Sequence, residues 1–291
     1  MSRVRLQAAA LCLIAIAGIA APSPAAADSR LELEGPFVQG GAIGGRTVPG
    51  TEVSLDGMAL RVAPDGLFVF GFDRDAPASA SLVATFPDGT REQRTFSVSP
   101  RDYDIQRIDG LPPEQVTPQT PEQIAKIKRD AETKAAARAD IKAGTWFADT
   151  FEWPMTGIIT GTFGSQRILN GEPRRPHYGV DIAGPVGVEV RAPAGGIVTL
   201  AEPDMYFEGG LIFLDHGLGF VSAFMHLSRL DVAVGDRVAP GDVIGAVGAT
   251  GRVTGPHLDW RIAWEGRQID PLLLVGPMPE TPAEGADRPE D

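Results

Sequence analysis

The chain has four histidines, His177, His216, His226 and His257, and all of them fall in its second half. In Arg175-Pro176-His177-Tyr178-Gly179-Val180-Asp181 an imidazole and a carboxylate stand four residues apart across a glycine. The glycine lets the backbone turn so that both side chains converge on one ion, and a neutral imidazole beside an acid suits zinc. By itself this spacing occurs more often in ordinary packing than at a metal. A second element, Thr250-Gly-Arg-Val-Thr-Gly-Pro-His257-Leu258-Asp259-Trp260, is a glycine-rich loop entering an apolar strand. Residues two apart on a strand share a face, so His257 and Asp259 can point into one cleft while Leu258 points into the core. His226, in Phe224-Met-His-Leu-Ser228, lies within an apolar strand end and taken alone reads as a core histidine. His216, in Asp215-His216-Gly217, reads as structural.

These residues must be positioned by a β-rich unit. From Trp146 onward short apolar runs, among them Gly210-Leu-Ile-Phe-Leu-Asp215, Gly219-Phe-Val-Ser-Ala-Phe224 and Leu258-Asp-Trp-Arg-Ile-Ala-Trp264, are broken by glycines that mark tight turns and bent sheet corners. Nothing between them reads as a long helix. Upstream, residues 28–113 alternate short strands such as Thr51-Glu-Val-Ser-Leu55 with turn signals such as Pro64-Asp65-Gly66, the pattern of a small immunoglobulin-like β-sandwich. No histidine occurs there, and a spacer or docking role is the plainer reading. Residues 114–145 form a linker and one connecting helix. Thr120-Pro121-Glu122-Gln123 supplies an N-cap, a first-turn proline and a capping-box glutamine, and Gly144 is the stop. Ile124, Ile127, Ala131, Ala135 and Ile141 recur along one face of that helix, which is expected to pack on one of the chain's own domains.

The 291 residues thus divide into a leader (1–27), the sandwich (28–113), linker and helix (114–145), a second β domain (146–275) and an acidic tail (276–291) that reads as disordered. Arg3 and Arg5 precede an uncharged run from Leu6 to Ala21 and the small residues Ala25, Ala26 and Ala27, a secretory signal peptide. The only cysteine, Cys12, lies inside it, so disulfides and lipid anchoring are not expected. No later stretch reaches the ~20 apolar residues of a membrane span. The full chain carries a net charge of -12, and loss of the leader leaves 24 basic against 38 acidic residues. A chain so acidic is not expected to bind nucleic acid.

Together the motifs resemble one family. His-Tyr-Gly-Val-Asp, Met-His-Leu-Ser, Gly-Asp-Arg-Val-Ala-Pro-Gly-Asp-Val-Ile-Gly (235 to 245) and Gly-Ala-Thr-Gly-Arg-Val-Thr-Gly-Pro-His-Leu follow in the order of the lysostaphin/LytM-like (M23) metallopeptidases. The resemblance implies a mainly β fold, with a LytM-type antiparallel, barrel-like sheet. It further implies a zinc-dependent endopeptidase that cuts stem or cross-link peptides of peptidoglycan in cell-wall remodelling, outside the inner membrane and most simply in the periplasm. It places the metal on His177, Asp181 and Asp259 and the catalytic roles on His226 and His257. One position departs from the pattern: Asp259 stands where the family has the second histidine of a terminal His-x-His. Two carboxylates and one imidazole cancel the charge of a divalent ion, which weakens it as a Lewis acid and suits Mn2+ better than a two-histidine site would. The alternative expectation is therefore a catalytically degenerate domain that binds peptidoglycan or activates a partner cell-wall hydrolase.

Overall fold

The computed structural model describes residues 29–111, 116–117 and 120–279. The expected signal peptide and residues 280–291 of the expected tail lie outside them. Near the amino terminus, strands β1 (Leu31–Glu34), β2 (Ala42–Thr47) and β5 (Leu67–Gly71) form one antiparallel sheet. A second sheet is built from β3 (Glu52–Leu55), β4 (Met58–Ala59), β6 (Ser79–Thr85) and β7 (Arg91–Ser97) in the order β4-β3-β6-β7. Alternation buries Ala80, Leu82 and Ala84 of β6 and turns the residues between them outward, whereas β5 is buried without a break from Phe68 to Gly71. The hairpin from β3 to β4 turns through Asp56 and Gly57, both with positive φ (51° and 82°), the left-handed pair that a two-residue connection requires.

β8 (Ile105–Ile108) leaves this unit and pairs in parallel with β10 (Gln166–Leu169), which also carries β11 (Glu172–Pro173). Helix α1 (Pro121–Ala139) opens with the full capping box, Thr120 accepting from the Gln123 amide and Gln123 reaching back to the Thr120 amide. It ends five residues before the expected stop at Gly144, because the amide of Lys142 is taken by Asp215. The expected apolar stripe is not the packed face: Ile124 is 56% exposed, and Ala131 and Ala135 face solvent. The helix is held instead by polar groups. Lys134 pairs with Glu208, Lys126 with Asp204, and Asp130 accepts from the Tyr206 amide at 2.7 Å, while Ala137 packs on the apolar sheet beneath and the Arg138 guanidinium lies 4.3 Å from the Phe213 ring centre.

Apart from β10 and β11, the strands of the second half form one ten-stranded sheet. Its strands are β9 (Ile158–Gly161), β12 (Gly179–Ala183), β13 (Glu189–Arg191), β14 (Gly196–Met205), β15 (Gly209–Asp215), β16 (Phe220–Leu230), β17 (Arg237–Val238), β18 (Val243–Val247), β19 (His257–Trp264) and β20 (Arg267–Ile269). The main path runs β17-β14-β15-β16-β19-β12-β9, with β18 branching from β16 to β13. The fold is mainly β, as expected from the strand pattern. β15 is buried at every position because both its faces are covered: Ile212 and Leu214 enter the central core with Phe224, Trp260 and Ile262, while Leu211 and Phe213 join Leu200, Val221 and Met225 on the side where α1 lies.

Candidate metal centre

Strand pairing brings the two aspartates together. β12 and β19 run antiparallel with Asp181 opposite Asp259, and Met225 of β16 faces Asp259 from the other side. The period of two puts His257, Asp259 and Arg261 on one face of β19 while Leu258, Trp260 and Ile262 fill the core. His177, just before β12, is pinned by its amide to the Ser165 carbonyl (2.8 Å) and by its own carbonyl to the Gly164 amide (2.7 Å). Two glycines clear the space. A Cβ at Gly161 would lie 2.3 Å from Oδ2 of Asp181, and one at Gly179 would lie 2.7 Å from Oδ1 of Asp259.

His226 reaches this cleft by a backbone irregularity. Its φ is 66°, and the ladder between β15 and β16 shifts register beside it, so the ring turns out of the strand plane toward His257, with ring centres 4.8 Å apart. Each of these two rings donates from Nδ1 to a backbone carbonyl, His226 to Thr250 and His257 to Gly255, both at 2.9 Å. Burial is the main force on His226; Asp259 opposes it and His257 adds to it, and the ring is pushed down to about 4, neutral at pH 7. His216 is elsewhere. It is fully buried, donates from Nδ1 to Gly195 and accepts at Nε2 from Ser222, both at 2.7 Å, so both nitrogens are used in packing the fold.

His177, Asp181 and Asp259 are buried and offer donor atoms within 4.8 Å of one another, a set that could hold a metal ion. Nε2 of His177 lies 3.0 Å from Oδ1 of Asp181 and 3.3 Å from Oδ1 of Asp259. Neither Nε2 of His177 nor Oδ1 of Asp181 makes a hydrogen bond, although both are buried. Two of the three donors therefore fit a dication, since orphaned buried polar atoms are costly without one. The third does not. Both oxygens of Asp259 are held by Arg261, Oδ1 from Nε at 3.0 Å and Oδ2 from Nη2 at 2.6 Å, in a forked ion pair. Oδ2 of Asp181 is likewise held by Arg167 of β10 at 2.6 Å. Burial drives the Asp259 carboxyl up, but Arg261 and then His177 outweigh it and hold the group well below the ordinary carboxylate range. Asp181 is raised by burial and by Asp259, yet His177 and Arg167 leave it lowered.

Sequence reasoning placed His177, Asp181, His226, His257 and Asp259 in one cleft, and the structure brings all five there. It missed Arg167 and Arg261. Arg261 could have been found, because it follows Asp259 by two on the same strand face. Arg167 carries no local signal, since it arrives on a separate ladder whose partner, β8, lies about sixty residues upstream.

Comparison with known proteins gives the same family. The model of peptidase family M23 matches residues 175–271. The chain is 35% identical over 118 residues to the peptidoglycan DD-endopeptidase ShyA of Vibrio cholerae, covering 38% of this chain and 27% of that protein. It is 31% identical over 203 residues to the cell division protein DipM of Caulobacter vibrioides, covering 68% of this chain and 31% of that one. The chain thus spans about a quarter to a third of the length of these relatives. A Pseudomonas aeruginosa crystal structure, solved as a candidate M23 peptidase, superposes with a TM-score of 0.63 at 29% identity over 82% of this chain and 95% of that one. With its strand order, its convergent histidines and aspartates, and these relatives, the segment 175–271 matches peptidase family M23.

Proposed function

We propose that this chain is a non-hydrolytic member of its family, exported beyond the inner membrane, whose cleft binds the peptides of peptidoglycan without cutting them. One observation carries the reading: Arg261 occupies both oxygens of Asp259. A hydrolytic zinc draws its charge balance from its ligands and still polarises a water and a carbonyl. Here two guanidinium groups already neutralise the two carboxylates, so an arriving dication would meet two resident cations and would have to displace Arg261 from a buried partner. The peptidoglycan assignment draws support from the resemblance to ShyA, and a role in envelope growth or division from the resemblance to DipM.

A second reading, a zinc endopeptidase with the metal on His177, Asp181 and Asp259 and catalysis by His226 and His257, is favoured by the unpartnered Nε2 of His177 and Oδ1 of Asp181. Metal analysis of the purified protein, soluble muropeptide release and co-sedimentation with sacculi separate the two. The proposal expects substoichiometric zinc, no release, and retention on sacculi. Stoichiometric zinc with release that His177→Ala abolishes would establish the second reading instead.

A further inference from the structure

Beside the outer face of the sheet β1-β2-β5 lies a crevice of about 800 Å³, closed on its far side by the second half of the chain. That volume falls within the roughly 300–1,000 Å³ of pockets that hold ligands. Strand register lays its floor in two rows, Glu32, Arg46 and Leu67 in one, and Glu34, Gly44 and Val69 in the next. The facing wall is made by Phe147, Asp149 and Phe151 with Phe220, Leu273 and Leu274. The crevice is thus apolar along β5 and the facing rings and acidic along β1. β1 is the terminal strand of its sheet and among the described residues pairs only with β2.

Gly44 supplies an independent observation. It lies inside β2, where a glycine weakens the strand, and no positive φ calls for it. A Cβ there would meet only the carbonyl oxygen of Glu34, at 3.9 Å, whereas one at the adjacent Gly45 would strike the Phe68 ring at 2.1 Å. The packing of the fold therefore requires Gly45 and leaves Gly44 without a structural reason. What the missing side chain does is keep the crevice open, and a glycine inside a strand marks a place where another chain or a ligand comes close.

Charge identifies the occupant. Glu32, Glu34 and Asp149 stand against Arg46, an excess of two negative charges, and Glu32 and Glu34 form no ion pair among the described residues. Such a rim repels the chain's own tail, in which Glu280, Glu284, Asp287, Glu290 and Asp291 face a single Arg288, and it repels a second copy with a net charge of -12. We propose that the crevice docks an extended basic segment of another protein, with apolar side chains toward Val69 and Phe151 and lysine or arginine side chains on Glu32 and Glu34. The open edge of β1 offers that segment main-chain hydrogen bonds. The crevice shares no lining residue with the metal centre, so the inference stands whether or not the cleft cuts peptides.

The test is calorimetric titration of the full chain with the synthetic peptide acetyl-Lys-Leu-Lys-Val-Lys-amide and with its counterpart carrying glutamate for each lysine, at low and at moderate salt. The basic peptide is expected to bind at least ~10-fold more tightly than the acidic one. That margin should shrink as salt rises. The double change of Glu32→Gln with Glu34→Gln should remove most of it. Gly44→Val fills the crevice with a residue that suits a strand, so the melting temperature should hold or rise while affinity for the basic peptide falls ~10-fold or more. Equal affinity for the two peptides, or no saturable binding of the basic one, overturns the proposal. Undiminished binding to a folded Gly44→Val protein overturns it too, because the peptide would then sit elsewhere on the acidic surface. Should Gly44→Val not fold, the glutamine pair decides, and an unchanged margin there is equally fatal.

Discussion

Asp259 is the residue on which the chemistry turns, and its environment explains why. Its side chain is 1% exposed, and a carboxylate so buried needs a cation or a proton. In the structure the cation is Arg261, a neighbour on the same strand face. Small residues flank that guanidinium: Gly179 on β12 and Ala223 on β16 lie opposite Arg261, and a Cβ at Gly179 would come within 2.5 Å of its Cγ. The pair is therefore built into the sheet. Replacing Arg261 with Met strands the carboxylate and should cost about 3–5 kcal/mol, whereas the double change of Arg261→Met with Asp259→Leu should recover most of that loss. Urea denaturation of the two single variants and the double variant measures the coupling. Strict additivity would show that the pair contributes nothing.

At the scale of elements, α1 is unusual in being held by charge more than by burial. No residue of the helix is fully buried, and its links to the sheet include Lys126, Asp130, Lys134 and Arg138, the last over the Phe213 ring, with one alanine packed on the apolar cluster. The exposed pair of Lys126 with Asp204 contributes little, about 0–1 kcal/mol, and only Lys134 with Glu208 is largely buried. The helix is accordingly expected to open at lower free energy than the strands beneath it. Lys134→Glu sets two acids against each other at Glu208 and should raise amide exchange across 121–139 by several-fold. The exchange of β15 and β16 should stay as it was, which hydrogen exchange with mass detection can read. A matching rise in β15 would mean that the helix is integral to the sheet. Glu208 adds a reason to watch this element, because its carbonyl accepts the His226 amide at 2.8 Å and so ties the helix to the cleft.

Across the whole molecule, the two halves share one continuous apolar cluster, and Arg101 reaches the buried Asp270 at 2.8 Å while Arg267 donates to the carbonyl of Gly71. One cooperative unfolding transition is expected. Its dependence on acid follows from buried histidines. Burial, only partly offset by the bond to Gly195, pushes His216 down to about 4, below the ordinary 6.5 that it regains on unfolding. The unfolded chain thus binds the extra proton between these values, so stability is complete above pH 6.5 and is lost as pH falls toward 4. The loss is about 1.4 kcal/mol per pH unit and about 3 kcal/mol in all. His226 acts in the same window and direction. Asp181 and Asp259, whose carboxyls are lowered, add a further loss only below the ordinary carboxylate value. Calorimetric melting from pH 7 to 4 should show a single peak that moves to lower temperature, and His216→Gln should flatten part of the slope. A melting temperature constant over that range would contradict the account.

What the sequence by itself determined is what short-range geometry controls. Period-two alternation marks β6 and β19, and with it the shared face of His257 and Asp259. The capping box marks the first turn of α1, and the glycine between His177 and Asp181 marks a pair able to converge. Each of these depends on residues within a few positions of one another. The tertiary structure alone decided the rest. It turned the backbone at His226 into a left-handed conformation that brings a strand histidine into the cleft. It chose the charged face of α1 over the apolar one, because the acids at 204 and 208 lie where the helix lands. It also delivered Arg167 to Asp181 through the pairing of β8 with β10. A motif of ligands can be read along a strand, but whether those ligands are available to a metal depends on which distant cations fold against them.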